Sequence, residues 1–215
     1  MREHEDLSQS LHEAATRLRG KSLFDAGACL SVLMPGEAAF LLLDQQSDIG
    51  RHDLASAGQP ASGTAALHAR IYQARGDVGA VLQAAPTWAA ALGQLAAPMP
   101  GIFDEQIRHL GAQIGQVPDW RQGSKLEAAL ALGNNGYGLG TQVLCLGMTL
   151  ERLVFNAELL EKCAKAYLLA HSTGMPVGRI PWLVRWVAGG RLRKDQRRAA
   201  QRHAAGQLAE RSKAY

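Results

Sequence analysis

Apolar residues at Leu7, Leu11, Ala14, Ala15 and Leu18 recur at helical spacing and predict a first helix from about Leu7 to Arg19. The pattern then changes. ACLSVLM and AAFLLL are short, nearly continuous apolar runs flanking Pro35-Gly36-Glu37, which reads as two strands joined by a tight turn. From Asp44 to Gly63 the chain is polar and turn-rich with no periodic signal, so a loop is predicted there. Ser62 or Thr64 is placed to cap a helix that carries Leu67, Ile71 and Ala74 inward and ends near Arg75-Gly76. VGAVLQ has the composition of a buried strand, and Thr87 opens a further helix through TWAAALGQLAA. Beyond the stretch PMPG come a short helix, FDEQIRHL, a weak strand, AQIGQVP, and the helix KLEAALAL capped by Ser124. GNNGYGLG reads as a glycine turn feeding the strand TQVLCLG. Thr149 caps the longest helix, Leu150 to about His171, although no Glu or Gln follows to complete a capping box. Thr173-Gly174-Met175-Pro176 stops that helix, and Pro181 opens a final basic helical segment. Helices alternate with short strands, without internal repeats. The fold class is therefore α/β, a sheet layered by helices.

Composition narrows the class without naming a chemistry. The 215 residues suit one domain with an appended tail, divided here as 1–178 and 179–215. A 47% hydrophobic content with only 6% aromatics, much of it Ala and Leu, favours helices over an all-β sandwich. Cys29, Cys145 and Cys163 form no CxxC pair, so neither a disulfide frame nor a zinc knuckle is implied. The charged N-terminal sequence does not read as a signal peptide, and no run reaches the roughly 18 apolar residues of a membrane span. A cytoplasmic location is expected. The net charge of +4 hides an asymmetry: residues 179–215 hold ten Lys/Arg against Asp195 and Glu210, and the remainder is net acidic.

Candidate chemistry is sparse. GNNGYGLG has no following Lys-Ser/Thr and precedes a strand, so it is neither a phosphate loop nor a dinucleotide fingerprint. No GxSxG occurs. None of the seven histidines pairs with another at i,i+2 or i,i+4, the usual spacing of metal ligands on a strand or helix. His68, on an amphipathic helix, reads first as a hydrogen-bonded structural imidazole. Asp104, Glu105 and His109 cluster in FDEQIRHLG, with Glu105 and His109 one helical turn apart. That pair suits acid/base work without a metal, or simply a solvated i,i+4 charge pair. Cys163 beside Lys162 and Lys165 reads as a reactive thiol or as a small buried hydrophobe.

In the tail, Trp182 and Trp186 stand at i,i+4, followed by a basic helix with a thin face of Leu192, Ala199, Ala200, Ala204 and Leu208. Contact with an acidic neighbouring subunit, nucleic-acid binding and contact with anionic lipid are the three readings. The thin apolar face argues against deep membrane insertion. The aromatic spacing places subunit contact first.

Three blocks carry a resemblance. ALHARIYQARGDVGAVLQAAPTWAAALGQL, GNNGYGLGTQVLCLGMTLERLVFNAELLEKCAKAYLLA and, more loosely, RLRGKSLFDAGACLSVLMPGEAAFLL resemble the class II aldolase/adducin family. They occur in the family's order and span roughly Leu11 to Ala170. The resemblance implies a three-layer α/β fold with a mainly antiparallel central sheet, and a homo-oligomer, a cyclic tetramer in relatives, with the pocket at a subunit boundary. In the family's enzymes a His-x-His strand end and a later His hold a catalytic zinc, with a Glu four residues before a helix His as acid/base. Laid onto this chain, those positions are Gln83 and Ala85, then Asn135 beside Asn134, with Thr64 in place of the Glu and His68 retained. The family's early phosphate turn falls on Ala28, Cys29 and Ser31, where only Ser31 is kept.

Zinc takes three or four His, Cys or carboxylate donors; Gln and Asn amides are poor donors and Ala is none. Without the ion there is no Lewis acid for an enediolate, and the Thr64 hydroxyl does not titrate in the range of a general base. The expectation is therefore a family member with no metal and no cofactor, serving as a non-catalytic binding or scaffold protein. The alternative is a metal-independent enzyme acting on a small sugar-phosphate-like or carbonyl substrate in the remodelled pocket. An ordinary sugar-phosphate aldolase ranks third. Partners expected are further copies of the chain, a small-molecule ligand, and nucleic acid or an acidic partner at the basic tail.

Overall fold

The computed structural model describes residues 2–55, 63–95, 97–117, 120–121, 123–178 and 180–210. The strands are β1 (Cys29–Met34), β2 (Ala39–Leu43), β3 (Ile49–Asp53), β4 (Ala80–Ala84), β5 (Met99–Pro100), β6 (Gln113–Gln116), β7 (Gly136–Leu139) and β8 (Gln142–Gly147). They form one sheet in the order β3-β2-β1-β4-β8-β7-β6-β5, antiparallel throughout except for the parallel β6–β7 pair. Helices α1 (Arg2–Arg19) and α5 (Leu150–His171) cover one face. Helices α2 (Thr64–Ala74) and α4 (Gly123–Ala131) cover the other. Two cores result. One joins Leu11, Ala15 and Leu18 of α1 to Leu30, Leu82, Cys145 and Leu153. The opposite one joins Leu67 and Ile71 of α2 to Phe40, Val81, Tyr137 and Leu144. Alternation along each strand produces this division, since successive side chains point to opposite faces. The arrangement is the layered α/β class that the sequence pattern implies.

Four local expectations are corrected. The polar stretch after Asp44 contains β3, an edge strand paired with β2 from Leu43↔Ile49 to Ala39↔Asp53. Its residues are half-buried or exposed, so it carries no apolar signal. GNNGYGLG is not a turn throughout: its second half is β7, fully buried. The glycines are needed because the 3-10 turn Ala90–Gln94 lies against the strand; a Cβ on Gly138 would come within 2.7 Å of Gly93 Cα. That same turn replaces the helix expected from Thr87, since the close approach leaves no room for a full helical girth. Finally, Gly63 rather than Thr64 precedes α2, with no side-chain cap, and Ser124 lies inside α4. Ser62 falls outside the described residues. Thr149 does cap α5, its side chain accepting from Arg152 N at 3.1 Å.

Two helices remain: α3 (Asp104–His109), which precedes β6, and α6 (Trp182–Ala204), which packs against α3. Ala188, Leu192, Ala199 and His203 make the buried face of α6. Three polar contacts pin it: Arg108–Asp195 at 2.5 Å, Gln196 Nε2 donating to Gly133 O at 2.8 Å, and His203 Nδ1 to Gly76 O at 2.9 Å. Of the thin Ala/Leu stripe, Leu192 and Ala199 are thus buried on the same domain and Ala200 is half-buried, whereas Ala204 and Leu208 are exposed.

Candidate functional site

The antiparallel register of β1 and β4 sets Cys29 opposite Gln83, and α2 begins alongside at Thr64. The side chains of Cys29, Ser31 and Gln83 share the α2 face of the sheet, because each lies an even number of residues from a neighbour in that core. Burial pushes the Cys29 thiol up, opposed by its hydrogen bond to Thr64. Gln83 Nε2 donates to Gln142 Oε1 at 2.6 Å, and Gln142 Nε2 reaches Gly27 O at 3.4 Å. Gly27 N in turn donates to Gln45 Oε1 at 2.9 Å. Ala85, half-buried, follows directly beyond β4. The result is a neutral set of amides, one hydroxyl and one protonated thiol.

These residues do not suit zinc. Two amides engaged with each other and a thiol held above its usual range present no three-donor set. Among the described residues no group of three His, Cys, Asp or Glu is placed to hold a metal ion. The β7–β8 hairpin, where Leu139 pairs with Gln142, reaches the same end of the sheet and carries Thr141 at its tip.

Ser31 and His68 come together, but in the core. Ser31 Oγ lies 2.7 Å from His68 Nδ1 and 2.7 Å from Tyr72 Oη, and none of the three is open to solvent. Burial, with a smaller contribution from the charge of His52, holds His68 down to about 3, so the imidazole is neutral. Burial pushes the Tyr72 phenol up. A serine next to a histidine has the form of an activated nucleophile. Here no substrate can reach it, and the trio ties β1 to α2.

Asn134 and Asn135 lie just before β7, which β8 separates from β4, and Asn135 is two residues back from the Tyr137 level at which Gln83 stands. Gly136 pairs with Cys145 and Asn135 O accepts from Leu146 N, whereas Gln83 pairs with Leu144. Both asparagines belong to a buried clamp. Arg75 makes two 2.7 Å bonds to Asp77, donates to Asn134 O at 2.8 Å, and reaches Asn135 Oδ1 at 3.1 Å. Asn135 Nδ2 donates to His109 O at 2.8 Å, and Tyr137 Oη donates to Asn134 O at 2.8 Å. The clamp joins the end of α2 to the ends of α3 and α4.

Asp104, Glu105 and His109 do share a cleft, and Gln83 and Asn135 are not among its lining residues. It holds about 650 Å³ between α3 and the first half of α6, with Arg108 and Arg152 on its polar side. Arg152 Nη1 lies 3.0 Å from His109 Nδ1, and the His109 ring meets Phe155 edge-on at 4.9 Å. Burial first, then the cations Arg152 and Arg108, lower His109 to about 4. Glu105 instead meets Lys162 at 3.4 Å. Gln142, Tyr72 and the Arg75–Asp77 pair were not singled out by sequence. Arg75-Gly76-Asp77 at a helix end offered a usable signal, whereas Gln142 offered none.

Similarity to known proteins agrees with this fold. The family model for the class II aldolase and adducin N-terminal domain matches residues 26–168. No curated protein matches the chain in sequence. Among solved structures, an L-fuculose 1-phosphate aldolase is 21% identical, with a TM-score of 0.71 over 87% of this chain and 96% of its own. An aldolase II superfamily protein from Pseudomonas syringae is 17% identical, with a TM-score of 0.69 over 95% of each chain. YgbL from Klebsiella pneumoniae, a putative aldolase/epimerase/decarboxylase, is 17% identical, with a TM-score of 0.68 over 86% of this chain and 98% of its own. At these identities the structures speak for the fold, and the family match covers most of the chain: it belongs to the class II aldolase and adducin family.

Proposed function

We propose that this chain is a class II aldolase relative that has kept the fold without the zinc chemistry, and that it acts as a binding or scaffold protein. The observation that carries the reading is the Gln83–Gln142 amide pair at the Cys29–Thr64 end of the sheet. A paired amide array recognises polar, uncharged groups by hydrogen bonding. It supplies neither a Lewis acid nor a titrating base. Retro-aldol cleavage of a sugar phosphate asks for both.

The second reading, a metal-independent enzyme for a small sugar-phosphate-like or carbonyl substrate, would have to unite that cluster with Asp104, Glu105 and His109. They line a separate cleft, and the His109 imidazole faces a guanidinium. That separation favours the scaffold reading. Self-association, with the basic tail free for an acidic partner or nucleic acid, completes the proposal.

The test is elemental analysis of protein purified without chelator, beside a retro-aldol assay over a panel of sugar phosphates. We expect no zinc at the Gln83 end and no turnover. Near-stoichiometric zinc there, or catalytic cleavage, would overturn the proposal.

A further inference from the structure

A second cleft, of about 580 Å³, opens between the start of α5 and the second half of α6. Met148 and Thr149 place it beyond Gly147, which pairs with Ala80 at the other end of β4 from Gln83. Gly206, with a φ of 72°, turns the chain back after α6, and residues 205–210 form a third wall. Three guanidinium groups enter, Arg152 from α5 and Arg198 and Arg202 from α6. Arg152 is nine-tenths buried. Arg198 is exposed and makes no hydrogen bond or ion pair among the described residues. The start of α5, a 22-residue helix, adds its own positive end. Two carboxylates line the same cleft. Asp195 is already held by Arg108. Glu210 reaches Arg202 at 3.6 Å with its side chain 81% exposed, a contact that contributes little in water. Counting Arg108, four cations meet two carboxylates, and Glu151 of the first α5 turn is exposed and outside the lining.

We infer that this cleft binds a small organic phosphate, its phosphoryl group between Arg198, Arg202 and the start of α5 and its carbon skeleton against Met148 and Ala199. Guanidinium forks and helix N–H groups approach from two elements, which suits a tetrahedral phosphoryl group better than a planar carboxylate. Glu210 is then a resident carboxylate on Arg202 that the phosphate displaces. The burial of Arg152 matters to the class of ligand. A group that enters the cleft can approach that guanidinium, whereas a nucleic-acid strand laid across α6 would meet the exposed Arg193 and Arg197 instead. The site is separate from the Gln83 cluster, so the inference goes beyond the proposed function and stands apart from the zinc chemistry.

Isothermal titration of the full chain with phenyl phosphate and with inorganic phosphate tests it. One site per chain is expected, with phenyl phosphate the tighter of the two. Arg198→Ala and Arg202→Ala should each weaken binding about tenfold, the loss of one hydrogen-bonded charge. Unfolding midpoints of both variants without ligand should stay near wild type, because Arg198 is exposed and Arg202 is partly so. Saturating phenyl phosphate should raise the midpoint of wild type more than that of either variant. Glu210→Gln should tighten binding, and Gln83→Ala should leave it unchanged. Absence of binding by either phosphate at millimolar concentration overturns the inference. Binding that survives both arginine variants but is lost in Gln83→Ala places the phosphate at the other end of β4 and also overturns it. So does a single-stranded oligonucleotide that binds, and is released by Arg193→Ala with Arg197→Ala, where phenyl phosphate does not bind.

Discussion

Gln83 and Gln142 satisfy each other across 2.6 Å, one from the end of β4 and one from the start of β8. That single bond explains the character of the site better than the missing histidines do. Each amide has one hydrogen bond committed to the other, so the pair is a structural contact as well as a candidate recognition surface. Gln83 Oε1 remains buried without a partner, the one acceptor of the pair left open among the described residues.

Rebuilding the zinc site at the positions suggested by resemblance should fail in a specific way. Gln83→His with Ala85→His should bind zinc weakly at most. Adding Asn135→His should give no further affinity, because β8 stands between β4 and β7 and the residue 135 side chain is directed to Arg75 and His109 O. It should also cost about 1–3 kcal/mol of stability by leaving Arg75 and His109 O short of a partner. Calorimetric zinc titration and urea unfolding read the two effects; tighter zinc binding by the triple variant would show that the ends of β4 and β7 meet.

Arg75→Ala should be among the most damaging substitutions in the chain. Both partners of the Arg75–Asp77 pair are nearly inaccessible, so removing the guanidinium strands a buried carboxylate and frees two main-chain carbonyls. A loss of roughly 3–5 kcal/mol is expected. Urea midpoints measure it, and a loss below about 1 kcal/mol would contradict the clamp.

Acidification should destabilise the fold through its buried imidazoles. The folded value for His68 is about 3 against an ordinary 6.5, and that for His109 about 4. Below the ordinary value the unfolded chain takes up protons that the folded chain refuses. Stability is therefore full above about 6.5 and falls with pH by up to about 1.4 kcal/mol per unit for each histidine. Burial lowers His203 as well, so His68→Asn should flatten that slope by removing one of three contributions. Denaturation series at several pH values give the answer; an unchanged slope in the variant would remove His68 from the account.

Gly138→Ala should lower stability by roughly 1–3 kcal/mol through overpacking against Gly93. Gly174→Ala offers a contrast, since no atom lies within 4 Å of its added Cβ and only its φ of 73° is unfavourable. Thermal unfolding of both variants separates crowding from backbone strain.

How much of this was legible in the chain varies with its physical cause. β1, β2, β4, β8 and α5 announced themselves because they bury apolar side chains at periods of two or 3.6. β3 did not, because an edge strand is held by main-chain pairing that Ile49–Asp53 can make with any side chains. β7 looked like a turn because its glycines answer to neighbours distant in sequence, Gly138 to the turn at Gly93 and Gly136 to Ile114. For the site, the absence of ligand types at Gln83 and Ala85 was visible at once. That Asn135 belongs with Arg75 was not, since it depends on which end of β7 faces which helix. The apolar stripe of α6 was legible as a stripe, but not that the same domain receives Leu192 and Ala199.

Helix α6 follows the sheet in the chain, and its anchors at Gly76, Arg108 and Gly133 are made much earlier. Translation therefore completes the three-layer body before the helix that covers α3 exists. During that interval Arg108 lacks Asp195, and the seats of Leu192 and Ala199 stand open to water. Domains form as units in the order they leave the ribosome, and transiently bared apolar surface is where chaperones and proteases act. A chain cut short before residue 182 would lack Asp195, Leu192 and Ala199 and would leave Arg108 and those seats open to water.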